Sequence, residues 1–536
     1  MHFLQIFKEN KNKLFLFLII LIMVFTKMFI VDDFLNHYSL PVYDGVMNEK
    51  IQILRYLSFK GDFSFKQRLF QAYYEFVGNP VNAIFNVLVI LISPKMLVND
   101  FDVYLRAFFT ITILFFTLDK FLNLKSSVKY TCIFTLFCFP LFNNFRFGLM
   151  TYIPDLTSGV LLMSGYINML IFIKNQRFNN FVLALIFAFL SIGFRFNFFV
   201  YVFLIYSPFV FPLIKIILKK ELKHTLKYLF IISVFLFLTF IYIYLHLDFF
   251  FSYYNRPAVY SETNLIISIV DIYNYFKREL GWTFLLILLT IFLINNLSQE
   301  NSDNSKVNFS YNIKLAYPFL IVFSFLVFYL NAYNQPHVFS FLFFTLLPLA
   351  FIKLSIFNRF KNILSENKLK VIGLLVLFFS TLGFTYQLKY DYKKELTRDG
   401  LILAEKIDKE LKFYRRKKYF ILFDTALEIP LDVYFFRKTK IWNDNQLKFY
   451  FTDWHLYEFS NKLDLEELKK HYISKINDIK PDLIFMNVKE LNIVKSRQLS
   501  IDLNNEIKKY VKSSDKYINK GYFYYNHQLI ATYKRK

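Results

Sequence analysis

The chain has 536 residues, 56% hydrophobic and 21% aromatic, with 72 Phe and only 12 Gly. Apolar runs of helix length recur along it without strand-like alternation, which excludes a soluble globular protein and a β-barrel and leaves a polytopic helical membrane protein. The net charge of +24 does not indicate nucleic acid, because its Lys and Arg residues are spread between apolar runs in the pattern of membrane topology.

Lys8, Lys11 and Lys13 precede the first run, residues 14–31, and no small-residue cleavage site follows it. It reads as an uncleaved first helix. The run stops against Asp32 and Asp33. A charged Asp at the bilayer centre costs roughly 2.5 to 3.5 kcal/mol, so this pair is expected just outside the helix, at the surface. Residues 32–104 are expected to form a first outer loop with amphipathic stretches: Met47, Ile51 and Leu54 recur at helical spacing, as do Phe70, Tyr73, Tyr74 and Val77. Residues 81–92 are too short an apolar run to span before Ser93-Pro94. Asn79, Asn82 and Asn86 on one stripe suit a helix lying at the surface.

Further spans are expected at residues 105–122, 128–142, 156–173, 178–194, 196–218, 228–247, 281–297, 315–333, 338–357 and 371–388, giving about eleven with the first. Cys132 and Cys138 both fall in one of these runs and offer neither a disulfide framework nor metal spacing. This topology places the N-terminus, Lys120, Lys125, Lys129, Lys174, Arg177 and the clusters around Lys219 and Lys361 in the cytoplasm. The short outer loops hold almost no cations beyond Arg146 and Arg195. An odd number of crossings sends residues 389–536 to the outer side. There the sequence becomes Lys-rich and soluble in character, with helices expected at 401–414 and 463–479 and strands at 419–423, 483–487, 517–525 and 528–533. The last two strands meet in a hairpin around Asn526-His527. The fold class is therefore mainly α, a polytopic membrane protein of about eleven transmembrane helices (residues 1–388) followed by a C-terminal extracytoplasmic α/β domain (residues 389–536).

Ionisable residues gather at the outer ends of these spans. Asp155 opens one of them directly after Pro154, Arg106 enters another, Arg195 lies at a turn, and His337 stands in a short outer turn. Each singly also suits a helix-end anchor whose head snorkels to the headgroups. Together, carboxylates beside cations at a lipid-facing entrance suit a lipid-phosphate-linked donor. Arg106, Arg146, Arg195 and His337 would hold its phosphate and stabilise the charge it gains on leaving. A carboxylate would take the proton from an attacking acceptor hydroxyl. One base working opposite the leaving phosphate means single displacement with inversion. Glu49, Asp62 and Glu262 are further acids that suit acceptor or sugar binding or a solvated loop, and Tyr152 and Tyr254 are aromatics placed to meet a sugar or to sit in the interfacial belt.

In this order the residues resemble the GT-C superfamily of lipid-phosphate-sugar-dependent glycosyltransferases, in the subgroup of protein O-mannosyltransferases and lipid A aminoarabinose transferases. The resemblance runs through Asp32-Asp33 after the first helix, Gly61-Asp62-Phe63, Asn79-Pro80-Val81, Arg106, Asp155 after Tyr152-Ile153-Pro154, and Gln335-Pro336-His337 before Leu347-Pro348-Leu349. It departs from that pattern in having Asn79-Pro80 for paired prolines, Asp33 where Glu is common, and a long interval before Gly61. The resemblance implies Asp32 as the base, Asp33 beside it and Asp155 as a second active-site acid. It also implies a polyprenyl-phosphate sugar donor, a lipid, glycan or protein acceptor, and the cytoplasmic (inner) membrane as location. A divalent metal ion is used by some members of the group. The rival classes are a flippase or transporter of lipid-linked glycans and a surface-glycan polymerase or ligase.

Overall fold

The computed structural model describes residues 2–37, 101–121, 155–195, 198–245, 395–414, 419–422, 465–488, 498–525 and 528–536, with isolated residues within 81–89, 129–138, 149 and 377–385. Two compact units divide the chain: Met1–Asp32 with Ser58–Gln387, and Asp33–Leu57 with Leu388–Lys536.

The first unit is helical. Its elements are α1 (His2–His37), α2 (Phe101–Phe121), α3 (Asp155–Asn175), α4 (Phe178–Phe194), α5 (Phe198–Tyr206), α6 (Val210–Leu218) and α7 (Leu222–Leu245). Five stretches are long and apolar enough to cross a membrane: Lys11–Val31, Phe101–Phe121, Leu156–Asn175, Tyr201–Leu218 and Leu222–Tyr244. Phe178–Phe194 is a shorter apolar helix. Their outward faces carry exposed Phe15, Ile22, Phe211, Phe230 and Phe237, an apolar surface that suits lipid better than water. The spans expected at 128–142, 281–297, 315–333, 338–357 and 371–388 lie wholly or largely outside the described residues.

Among the boundaries that differ from the sequence reading are the end of α1 and the span expected at 196–218. The acidic pair does not end α1, which runs through Asp32 and Asp33 to His37. An apolar run marks where a helix can meet lipid, whereas the helix itself continues in water while its backbone bonds are satisfied. The expected single span at 196–218 is broken into α5 and α6 by a 3₁₀ turn, Ser207–Phe209. Pro208 lacks an N–H and cannot continue the α-helical ladder.

Packing contacts fix how these helices run. Phe17 of α1 meets Phe115 of α2 at 5.1 Å between centroids, and Phe25 meets Tyr104 at 5.9 Å, so the two helices are antiparallel. Thr110 Oγ1 lies 3.0 Å from Thr157 Oγ1, and Lys120 Nζ donates to Asn168 Oδ1 at 3.3 Å, so α2 and α3 run parallel. Between α3 and α4 the chain reverses in two residues. Gln176 adopts a left-handed φ of 53° and its N–H closes the end of α3 on the Phe172 carbonyl at 2.6 Å. The resulting hairpin packs through small residues. Ser191 Oγ donates to the Ser158 carbonyl at 3.0 Å, and Gly165 lets α3 approach Ala184 and Tyr206. Of the segment expected at the surface, Val81, Ile84, Phe85, Leu88 and Val89 are helical. Phe85 packs on Phe109 and Phe194 at 5.4 and 5.6 Å.

In the second unit a sheet with strand order β1-β2-β4-β3 is built from β1 (Tyr419–Leu422), β2 (Leu483–Asn487), β3 (Tyr517–Tyr525) and β4 (Gln528–Arg535). β1 and β2 are parallel, and the other two pairings are antiparallel. The β1–β2 connection contains α9 (Leu465–Ile479), and α10 (Gln498–Ser513) follows β2. Leu483, Ile484, Phe485 and Met486 are all buried, so successive side chains of β2 are covered on both faces of the sheet. One face packs Ile484, Met486, Ala531 and Tyr533 against Ile476 of α9 and Leu503, Ile507 and Val511 of α10. The other meets α8 (Glu395–Phe413), whose Ala404, Ile407 and Leu411 are buried and whose Lys406 lies over the Phe523 ring at 5.9 Å. Gly521, at φ 151°, sits at a bulge in β3, where its N–H bonds Asn519 Oδ1 at 3.0 Å.

Candidate functional site

The directions of the helices decide which ionisable residues share an end of the first unit. Tyr104 and Phe25 stand level, so Asp32 lies about 10 Å further along α1, beyond the N-terminal end of α2. Arg106 precedes Thr110 by one turn on α2, and Asp155 is the first residue of α3, two before Thr157. The Thr110–Thr157 contact therefore puts both at that same end. Ser191 meets Ser158, and four residues later Arg195 caps α4, its N–H bonding the Ser191 carbonyl. Asp32, Arg106, Asp155 and Arg195, spread over 164 positions of sequence (195 less 32, both ends counted), thus occupy one end of four adjoining helices.

Their settings differ. Asp32 and Asp33 fall within the last two turns of α1, inside the helix and not beyond it. Arg106 is not at the rim: α2 begins at Phe101, so Arg106 stands more than a turn inside and is only 3% exposed. Its carbonyl accepts from Thr110 Oγ1 at 2.8 Å within α2, and the same hydroxyl meets Thr157 of α3. Arg146, His337, Glu49, Asp62, Tyr152, Tyr254 and Glu262 lie outside the described residues.

Two buried charges escaped the sequence reading. Lys27 interrupts the apolar run of α1 and is buried at 6% exposure, with its ammonium 5.7 Å from the centre of the Phe384 ring. The antiparallel register that sets Phe25 against Tyr104 brings Lys27, two residues on, to the level of Asp102. Asp102 is 4% exposed and precedes Arg106 by one helical turn, on the same side of α2. The signal was available: a lone Lys inside a long apolar run, and an Asp four residues before an Arg. A cation in such a run costs roughly 2.5 to 3.5 kcal/mol unless it faces the bundle interior, which is where Lys27 points.

Chemically this end combines carboxylates, a buried guanidinium and a buried ammonium. Such a set can hold a phosphate by charge-assisted hydrogen bonds and move a proton beside it. Among the described residues no group of three or more His, Cys, Asp or Glu side chains gathers to hold a metal ion. The fold and this site define a helical protein of membrane type with charge buried near one end of its bundle. No protein-family model and no curated protein matches the chain.

Proposed function

We propose that this protein is an integral membrane glycosyltransferase of the GT-C type, with about eleven spans and its C-terminal unit on the outer side. It would transfer a sugar from a polyprenyl-phosphate donor to an extracytoplasmic acceptor at the outer face of the cytoplasmic membrane. An acceptor hydroxyl attacks the anomeric carbon as the bond from that carbon to the phosphate oxygen breaks, and polyprenyl phosphate leaves. The hydroxyl proton passes to Asp32, with Asp33 and Asp155 as neighbouring acids, and the configuration inverts. Arg106 and Lys27, with Arg195, Arg146 and His337, hold the phosphate and balance the charge it gains. The observation that carries this reading is the gathering of Asp32, Arg106, Asp155 and Arg195 at one end of α1–α4, with Lys27 and Asp102 buried beside them.

The test is transfer from a panel of radiolabelled polyprenyl-phosphate sugars by the purified full chain. Asp32→Asn is expected to lose about 10²- to 10⁴-fold in rate as the base is removed, and Asp155→Asn to fall as well. Wild-type rates in both variants would remove the catalytic assignment. The depth of Lys27, Asp102 and Arg106 inside the helices favours a second reading, a flippase for lipid-linked glycans. That reading requires donor movement across vesicles without sugar transfer. Labelling of a cysteine placed at Ser126 tests the topology, which requires it to react from the cytoplasmic side.

A further inference from the structure

At the opposite end of the same helices the charges are held differently. The Lys13 ammonium bonds Asp119, and Lys129 Nζ lies 2.7 Å from Asp119 Oδ1, so two cations share one carboxylate. Lys120, the next residue, has no carboxylate among its hydrogen-bond partners in the described residues. It donates to Asn168 Oδ1 of α3 at 3.3 Å and to Asn180 Oδ1 of α4. Both amides are fixed in turn: Asn168 Nδ2 donates to the Ser164 carbonyl at 2.8 Å, and Asn180 Nδ2 to Asn175 Oδ1 at 3.1 Å. Amide oxygens orient an ammonium without cancelling its charge. Arg177 lies in the turn between α3 and α4, where its carbonyl accepts at 3.0 Å from the N–H of the same Asn180 that takes the Lys120 ammonium, and both cations are exposed. Like charges brought near one another are stabilised by an anion that can bond both.

The ends of the apolar stretches Phe101–Phe121 and Leu156–Asn175 set the height of this pair, because Lys120 and Asn175 are at or beside their last residues. That is where lipid headgroups stand, and exposed Phe116 and Ile186 continue the surface along α2 and α4. We propose that Lys120 and Arg177 form a headgroup site for an acidic phospholipid, its phosphate between the two cations and its acyl chains along the apolar helices. The inference does not depend on the reaction proposed above.

The test uses the full chain in nanodiscs of phosphatidylcholine with or without phosphatidylglycerol. Retained phosphatidylglycerol is read by native mass spectrometry, and unfolding is followed in parallel. Each cation contributes about fivefold to the attraction of an acidic lipid, so Lys120→Gln/Arg177→Gln is expected to lose about 25-fold. Lys223→Gln/Lys227→Gln, which removes the same charge from exposed positions on α7, is expected to lose less, and Lys120→Arg to retain binding. The wild type is expected to unfold at higher temperature with phosphatidylglycerol than without, and this gain should shrink in about 0.5 M salt. Equal losses in the two double variants, no gain with phosphatidylglycerol in the wild type, or displacement of the lipid by inorganic phosphate at matched concentration would each overturn the proposal.

Discussion

Gly165 marks the closest approach of α3 to its neighbours. A Cβ placed there would stand 2.9 Å from the Ala184 carbonyl oxygen and would collide with the Tyr206 hydroxyl, which donates to that same carbonyl at 2.9 Å. Gly165→Ala must therefore both spread α3 from α4 and turn Tyr206 away. Spreading the packed helices costs about 1–3 kcal/mol, and losing the Tyr206 hydrogen bond about 1 kcal/mol. The better helix propensity of Ala returns about 1 kcal/mol. The expected net loss is about 1–3 kcal/mol from these opposing terms. Tyr206→Phe alone should cost about 1 kcal/mol. In the double variant the new methyl group occupies space left by the hydroxyl, so the two losses should fall short of their sum by about 1 kcal/mol. Unfolding of the purified full chain, followed by Tyr and Trp fluorescence, measures all three variants. A fully stable Gly165→Ala protein, or strict additivity, would refute this account of the α3–α4–α5 contact.

Lys27→Met removes a buried cation and leaves an apolar side chain of similar length. Removing one charge while Asp102 stays buried at the same level leaves that carboxylate less compensated and costs about 3–5 kcal/mol, so the variant should unfold more easily than the wild type. On the proposed reading, in which Lys27 holds the donor phosphate, the transfer rate of the folded variant should also fall about 100-fold, read in the sugar-transfer assay. In the second unit, Asn477 Oδ1 accepts from Tyr510 Oη and Lys516 Nζ, both at 2.9 Å. Asn477→Ala should cost about 1 kcal/mol in urea unfolding of the full chain followed by a label on α10. Burial chiefly pushes the Tyr517 hydroxyl up to about 12, outweighing the opposing pull of Arg535. The unfolded chain therefore gives up this proton first. The stability linked to Tyr517 is full below pH about 10 and is lost as pH rises from there through the folded value. Tyr517→Phe should flatten the alkaline decline of that unit's stability between those limits, measured as the difference between the two proteins' unfolding midpoints.

What the sequence made legible follows from how strongly each signal is local. β2 and β3 occupy their expected residues because Leu483–Asn487 and Tyr517–Tyr525 are rich in branched and aromatic side chains. The helix α10 was not anticipated. Its buried Leu503, Ile507 and Val511 recur every four residues, but Lys, Asn and Glu between them dilute the apolar pattern. Asp155 was expected to open a helix and does so, after a proline that favours helix starts. The depth of Arg106 was not legible, because hydropathy locates the apolar run while the helix begins earlier, at Phe101. Lys27 and Asp102 were passed over for a related reason. A run average absorbs one charge, and only packing shows that the charge faces inward.

The contrast between the two ends of α1 and α2 bears on function more directly than any single residue. At one end Asp119 is half-buried and shared by Lys13 and Lys129, so its charge is met at once by opposite charges beside it. At the other, Lys27, Asp102 and Arg106 are withdrawn from solvent, and desolvating such groups costs several kcal/mol each before their mutual attraction is counted. Anchoring the helices in a membrane needs only the first arrangement, repeated at both ends. Three buried charges at the same end as Asp32 and Asp155 are an expense that anchoring does not require. On the proposed reading, an occupant that brings its own charge, as a lipid-linked phosphate does, would turn that expense into binding.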